Sequence, residues 1–190
     1  MVMGCWGITA FESDAGLDTV GFIRENLPAD GKLEVKTIID LLRGDSWCAP
    51  PDVTDGDSHT SPMALAEIMV KFLDQDLMGL DHDDPNTAKD RKFASMASFT
   101  ADKESIGWIK NYLSDTLKFS REDAAQGRKW GGWFKEQNWI SWQGHMESLI
   151  GRMDELLSAP GDVVELIKPA KQEQDVCIRP DKGISGMGIT

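Results

Sequence analysis

Residue types that could bind a metal ion are concentrated in the middle of the chain. Histidine and aspartate are common ligands of catalytic divalent metals. The spacing is not that of a known site, since there is no helical His-x-x-x-His pair and no calcium loop that ends in glutamate. We keep a metal-dependent hydrolase as the alternative hypothesis, while the leading interpretation includes no metal, no cofactor and no assigned catalytic residue. The candidate ligands of the alternative lie within residues 57–84 and on a later helix: Asp57, His59, Asp81, His82, Asp83, Asp84 and His145.

Two other features suggest contact with a protein partner. Residues 52–90 contain ten acidic residues against two lysines, which would complement a basic protein surface. A group of tryptophans follows, and exposed tryptophan often anchors a partner, although filling the core is the alternative role for such a group. The predicted partner-binding residues are therefore Asp81, Asp83, Asp84, Trp130, Trp133 and Trp139.

The overall charge argues against several other classes of partner. The formal net charge is -12, which repels both phosphate backbones and anionic lipid headgroups. No stretch approaches about 18 consecutive apolar residues, the length that predicts a membrane span. We therefore predict neither nucleic-acid nor membrane binding. The three cysteines are odd in number and form no Cys-x-x-Cys pair, which favours a reducing, cytoplasmic location.

The opening residues have the composition of a structural segment. Glycines flank a tryptophan, which predicts a tight turn that directs the indole inward as a plug, and an acidic helix start follows. The residues assigned structural roles are Gly4, Trp6, Gly7, Phe11 and Asp14.

Apolar residues recur at helical spacing along most of the chain, which predicts an all-α fold. We expect a single-domain bundle of about five to six helices over residues 1–168, with an irregular N-terminal plug and at most one short strand pair. Residues 169–190 are polar and rich in glycine, which indicates a tail. Glu67 and Lys71 should form an ion pair on the wet side of one helix. The expected helices cover approximately 13–27, 35–44, 61–79, 102–117, 121–136 and 142–157.

Several motifs resemble one known family. The opening Met3-Gly4-Cys5-Trp6-Gly7, followed by Phe11-Glu12-Ser13-Asp14 and Leu17-Asp18, is similar to the start of domain-of-unknown-function family 4259. The similarity extends loosely over 64–73, 133–136 and 142–156. The resemblance implies a small, largely helical, mostly bacterial protein without an assigned activity, and so it carries over no catalytic residues.

The leading functional hypothesis is a non-enzymatic cytoplasmic module that binds another protein. Its small size and acidic surface would suit an immunity- or inhibitor-like protein that covers a basic toxin or nuclease surface. The sequence does not indicate an oligomeric state.

Overall fold

The computed structural model describes residues 4–81, 91–128 and 136–167. It is predominantly helical, as predicted, and also contains a three-stranded sheet. Within the described residues, no helix is both long enough and apolar enough to cross a membrane. The helices are α1 (Asp14–Glu25), α2 (Val35–Gly44), α3 (Ser61–Leu73), α4 (Lys103–Ala125) and α5 (Trp139–Ser158), and the strands are β1 (Lys32–Glu34), β2 (Ser98–Asp102) and β3 (Val163–Glu165).

Helix α3 is the centre of the fold. Eleven of its thirteen residues are buried, because α1, α4 and α5 all pack around it. Phe72 near its end contacts Phe99 of β2 edge to face, with 5.0 Å between ring centroids. The sequence pattern predicted one apolar stripe and a wet side for this helix. That prediction was wrong for Glu67, which is buried, while Lys71 pairs with Asp76 instead.

The sheet is larger than the single strand pair that we allowed. Strand β2 lies in the middle, parallel to β1 and antiparallel to β3. The Glu165 side chain holds β3 in place by accepting the backbone N–H of Phe99 at 2.8 Å and the hydroxyl of Ser98 at 2.7 Å. Strands β1 and β3 have three residues each and carry little periodic signal, so their pairing with β2 depends on long-range contacts.

Two helix ends differ most from their predictions. Helix α3 ends at Leu73 rather than near Gly79, because the chain turns at Gln75, whose φ is 58°. Helix α4 continues through the start predicted for a separate helix near residue 121. The Ser120 hydroxyl donates to the carbonyl of Leu117 within α4, so it does not cap a new helix.

A lysine side chain connects the beginning of α4 to the end of α5. The Lys103 ammonium, in the first turn of α4, donates to three carbonyls at the end of α5: Leu156 at 2.6 Å, Leu157 at 2.9 Å and Ala159 at 2.6 Å. The cation thus binds carbonyls at the C-terminal end of the helix, where the following turn that would supply backbone N–H donors is missing.

Helix α1 packs closely against the short 3₁₀ turn Ala10–Glu12. A Cβ atom on Gly16 would lie 1.8 Å from the carbonyl oxygen of Ala10, so only glycine fits. On the opposite side of the same helix, a Cβ atom on Gly21 would meet nothing within 4 Å.

These two glycines make a matched test of the packing. We expect Gly16→Ala to lower the free energy of unfolding by about 3 kcal/mol, because the clash is with backbone that cannot move aside. Gly21→Ala should raise it by about 0.5 to 1 kcal/mol through the higher helix propensity of alanine. Urea denaturation measures both changes, and equal effects of the two substitutions would contradict this packing.

Candidate functional site

The opening segment is fastened to the start of α1 mainly through its backbone. The N–H of Trp6 donates to the carbonyl of Glu12 at 3.0 Å, and the N–H of Gly4 donates to the Asp14 carboxylate at 2.7 Å. The Glu12 carboxylate accepts the N–H groups of Ile8 at 2.9 Å and Thr9 at 3.1 Å. The segment therefore forms a compact loop closed by two carboxylates.

The prediction of an inward-facing tryptophan plug was wrong. The Trp6 side chain is 50% exposed, whereas the neighbouring Gly7 is buried. A Cβ atom on Gly7 would lie 2.1 Å from the carboxyl carbon of Glu12. The loop is held by hydrogen bonds around Glu12, and these leave the indole outside. Phe11 is partly buried and packs on the core.

A buried carboxylate and a histidine join this loop to two helices. The Glu67 carboxylate of α3 accepts the backbone N–H of Ala10 with both oxygens, at 2.9 and 3.0 Å. One of these oxygens lies 2.6 Å from Nε2 of His145 in α5. Glu67 is only 6% exposed, so these contacts compensate for the loss of water around its carboxylate.

The Glu67 contact gives the His145 ring a defined orientation. Because a carboxylate accepts hydrogen bonds, Nε2 is assigned as the donor, which leaves Nδ1 as the acceptor of a neutral ring. Such an imidazole can act as a general base when a nucleophile lies beside it. In the described part of the chain, no hydroxyl or thiol is hydrogen-bonded to Nδ1. The arrangement directly connects the opening loop, α3 and α5, which is a structural role.

The other described histidine performs a separate structural role. Nδ1 of His59 accepts the backbone N–H of Ser61, at the beginning of α3, at 3.1 Å. The backbone N–H of His59 donates to the Tyr112 hydroxyl at 3.0 Å. Burial lowers the pKa of His59, which favours the neutral ring that this acceptor role requires.

The candidate metal ligands fall partly inside and partly outside the described residues. Among residues 4–81, 91–128 and 136–167, no group of three or more His, Cys, Asp or Glu side chains could hold a metal ion. His59 and His145 contact different residues. His82, Asp83 and Asp84 lie outside the described residues.

Two described aspartates of the predicted acidic region, Asp74 and Asp81, form ion pairs within the protein. Asp81 accepts the N–H groups of Phe93 at 3.1 Å and Ala94 at 3.0 Å, and it pairs with the buried Arg24 at 3.3 Å. Asp74 pairs with Arg152 of α5. The Asp81 side chain is largely buried by these contacts, so the partner-binding role predicted for it is not supported, whereas Asp74 is exposed.

The tryptophan cluster is also only partly described. Trp139 is partly buried and stacks on Trp142, with 5.6 Å between ring centroids, and Trp142 is fully buried. Core packing therefore accounts for these two rings, contrary to the predicted binding role of Trp139. Trp130 and Trp133 lie outside the described residues.

Trp47, which the sequence analysis did not single out, is more exposed than Trp139 and Trp142. Trp47, in the loop after α2, is 60% exposed, and its Nε1–H donates to the Asp18 carboxylate of α1 at 3.3 Å. The Asp45 carboxylate holds the loop by accepting the backbone N–H groups of Trp47 at 2.9 Å and Cys48 at 2.7 Å. Leu17, next to Asp18, is 43% exposed, although the helical pattern predicted its burial.

A groove lies between α1 and α2, and one of its lining residues is Asp45, which accepts the backbone N–H of Trp47. It has a volume of about 590 Å³, and the partly buried Phe22 and Leu41 contribute apolar side chains to it. Its charged lining residues are two aspartates, Asp40 and Asp45. We call the surface formed by Leu17, Phe22, Leu41, Trp47 and this groove the α1–α2 face.

Comparison with known proteins adds no further information about this chain. No family model, curated protein or solved structure matches it. The resemblance to domain-of-unknown-function family 4259 stays a prediction.

The buried pair can be tested by removing its carboxylate. Glu67→Ala leaves the N–H of Ala10 without its acceptor and His145 without its partner, so we expect unfolding to become easier by about 3 to 5 kcal/mol. Glu147→Ala on α5 is the control, because that exposed carboxylate pairs with Arg121 at the surface and its loss should have little effect. Chemical denaturation that shows similar effects for both variants would contradict the role of Glu67.

The Glu12 carboxylate predicts a particular pH dependence. The N–H groups of Thr9 and Ile8 lower the pKa of Glu12 below its ordinary value of 4.5 in the folded state. Its stabilising effect should be complete above about pH 4.5 and should disappear as the pH falls through the lower folded pKa. The difference in unfolding free energy between wild type and Glu12→Gln should therefore shrink on acidification. A constant difference from pH 7 to strong acid would disagree with this expectation.

Proposed function

We propose that this acidic, helical protein is a non-enzymatic protein-binding module and that the α1–α2 face contacts a basic partner. The carrying observation is Trp47, an exposed aromatic residue held in one orientation by Asp18 and Asp45. Tryptophan is enriched among the residues that dominate binding energies, and a fixed side chain loses less entropy on binding.

The loop that carries Trp47 is anchored in the fold by the next residue, Cys48. Its side chain is buried and lies 4.0 Å from the Thr19 hydroxyl of α1, so the residue directly after Trp47 anchors the loop. Burial raises the pKa of the Cys48 thiol to about 11, which keeps it protonated and poorly reactive at neutral pH. Position 48 thus acts as an anchor and position 47 as the contact.

Charge supports the choice of a basic partner. The two charged residues that line the groove are aspartates, and the whole chain has a formal charge of -12. Complementary charge would accelerate association and discriminate against acidic proteins. An inhibitor or immunity protein that covers a basic toxin or nuclease is one form of this proposal, and a cytoplasmic location is part of it.

The metal-dependent hydrolase is the competing hypothesis. It would need His145 together with ligands from residues 57–84, whereas His145 is hydrogen-bonded to Glu67 and His59 to Ser61. The exposed α1–α2 face favours the binding module.

The proposal predicts where a partner touches the protein. A photoreactive phenylalanine analogue at position 17, which leaves Trp47 in place, should cross-link a basic protein in cells of the native host, while the same analogue at position 78 should not. Met78 is a suitable control because it is 73% exposed and lies outside the α1–α2 face.

The purified partner then allows a quantitative test. Trp47→Ala should weaken its binding by roughly 30-fold or more, because a hot-spot tryptophan contributes about 2 kcal/mol or more. Met78→Ala should leave the dissociation constant unchanged, and binding to wild type should weaken with added salt. Equal binding of wild type and Trp47→Ala, or failure of position 17 to cross-link any partner, would refute the proposal.

A further inference from the structure

A second concave site lies on the other side of the end of α2. It has a volume of about 320 Å³, at the lower end of the range of small-molecule sites. Helix α4 forms one wall with Trp108 and Tyr112, and the loop that contains Pro50 and Pro51 forms the other. The two aromatic rings have centroids 5.7 Å apart and make this wall largely apolar.

The walls of this pocket are held in place by contacts within the fold. The Tyr112 hydroxyl accepts the N–H of His59, and Tyr112 is only 8% exposed. The Asp52 carboxylate accepts both the N–H of Thr54 at 2.9 Å and its hydroxyl at 2.6 Å. The pocket is therefore formed before any ligand arrives, which reduces the entropic cost of binding.

Both signs of charge are present in the lining. Arg43 places its guanidinium over the Trp108 ring, 4.7 Å from the centroid. Its nearest acidic oxygen, on Asp40, lies 3.8 Å away, which is beyond hydrogen-bonding distance, so its N–H groups remain able to donate. Asp52 and Asp115 supply the opposite charge.

Two lining side chains have hydrogen-bonding capacity that the fold does not use. Among the described residues, neither the Asn111 amide nor the Asp115 carboxylate makes a side-chain hydrogen bond, and both residues are exposed. A ligand with one anionic and one cationic end would satisfy Arg43 and Asp115 together. A ligand with a single charge would leave either the Arg43 guanidinium or the Asp115 carboxylate next to a group of the same charge or an uncharged group.

The geometry points to a binding site for a small zwitterion, a free α-amino acid with an apolar side chain, between α4 and the loop after α2. The ligand's carboxylate would accept hydrogen bonds from Arg43, and its ammonium group would donate to Asp115 and Asp52. Its side chain would lie on Trp108 and the proline wall, since apolar contact supplies most of the affinity in such sites. This site is separate from the α1–α2 face, and no reaction is implied.

Calorimetric titration with L-leucine and L-phenylalanine tests the assignment on the intact protein. At least one of them should bind with a dissociation constant of about 1 mM or below. The corresponding amide, which lacks the carboxylate, and the N-acetyl derivative, which lacks the ammonium group, should each bind at least 10-fold more weakly. Absence of saturable binding below about 10 mM would overturn the assignment.

Variants separate the two ends of the ligand. Arg43→Met and Asp115→Asn should each weaken binding of the amino acid at least 10-fold without unfolding the protein, because both side chains are exposed. Arg121→Met is the matched control, since Arg121 pairs with Glu147 on α5 and does not line this pocket. Binding that is unchanged in Arg43→Met and Asp115→Asn, or an amide that binds as tightly as the amino acid, would show that the ligand ends are not recognised as assigned.

Discussion

A carboxylate on a helix that is enclosed on nearly every side must find its hydrogen-bond donors within the protein. Glu67 is in this position, because α1, α4 and α5 surround α3. Its partners are the backbone N–H of Ala10 and the ring of His145. An unpaired carboxylate in this place would be strongly unfavourable, so the same contact determines where the opening loop and α5 can lie.

The position of the opening loop in turn determines the surface of α1. The 3₁₀ turn that contains Ala10 approaches Gly16 so closely that this side of the helix must face inward. Leu17 is one residue further around the helix and therefore faces outward. The exposed leucine is thus a consequence of the way in which the loop is fastened, and it directly precedes Asp18, which accepts the indole N–H of Trp47.

The two concave sites lie on either side of the end of α2 and have different charge. The groove toward α1 is apolar with aspartates as its charged lining residues, whereas the pocket toward α4 combines Arg43 with Asp52 and Asp115. A uniformly acidic surface suits a basic protein, while charges of both signs beside an aromatic wall suit a small molecule that itself carries both signs. The −12 net charge alone does not distinguish these cases.

The sequence by itself determined the predominantly helical character and the bounds of α2, because apolar spacing and flanking turn residues act over a few neighbouring positions. The sequence did not determine which side of a helix is exposed to solvent. Glu67 was expected at the surface and Leu17 in the core, and the structure reverses both. A helical pattern shows which residues share a face, but burial depends on segments distant in sequence. His145 lies 78 residues from Glu67, and only the tertiary structure brings them together.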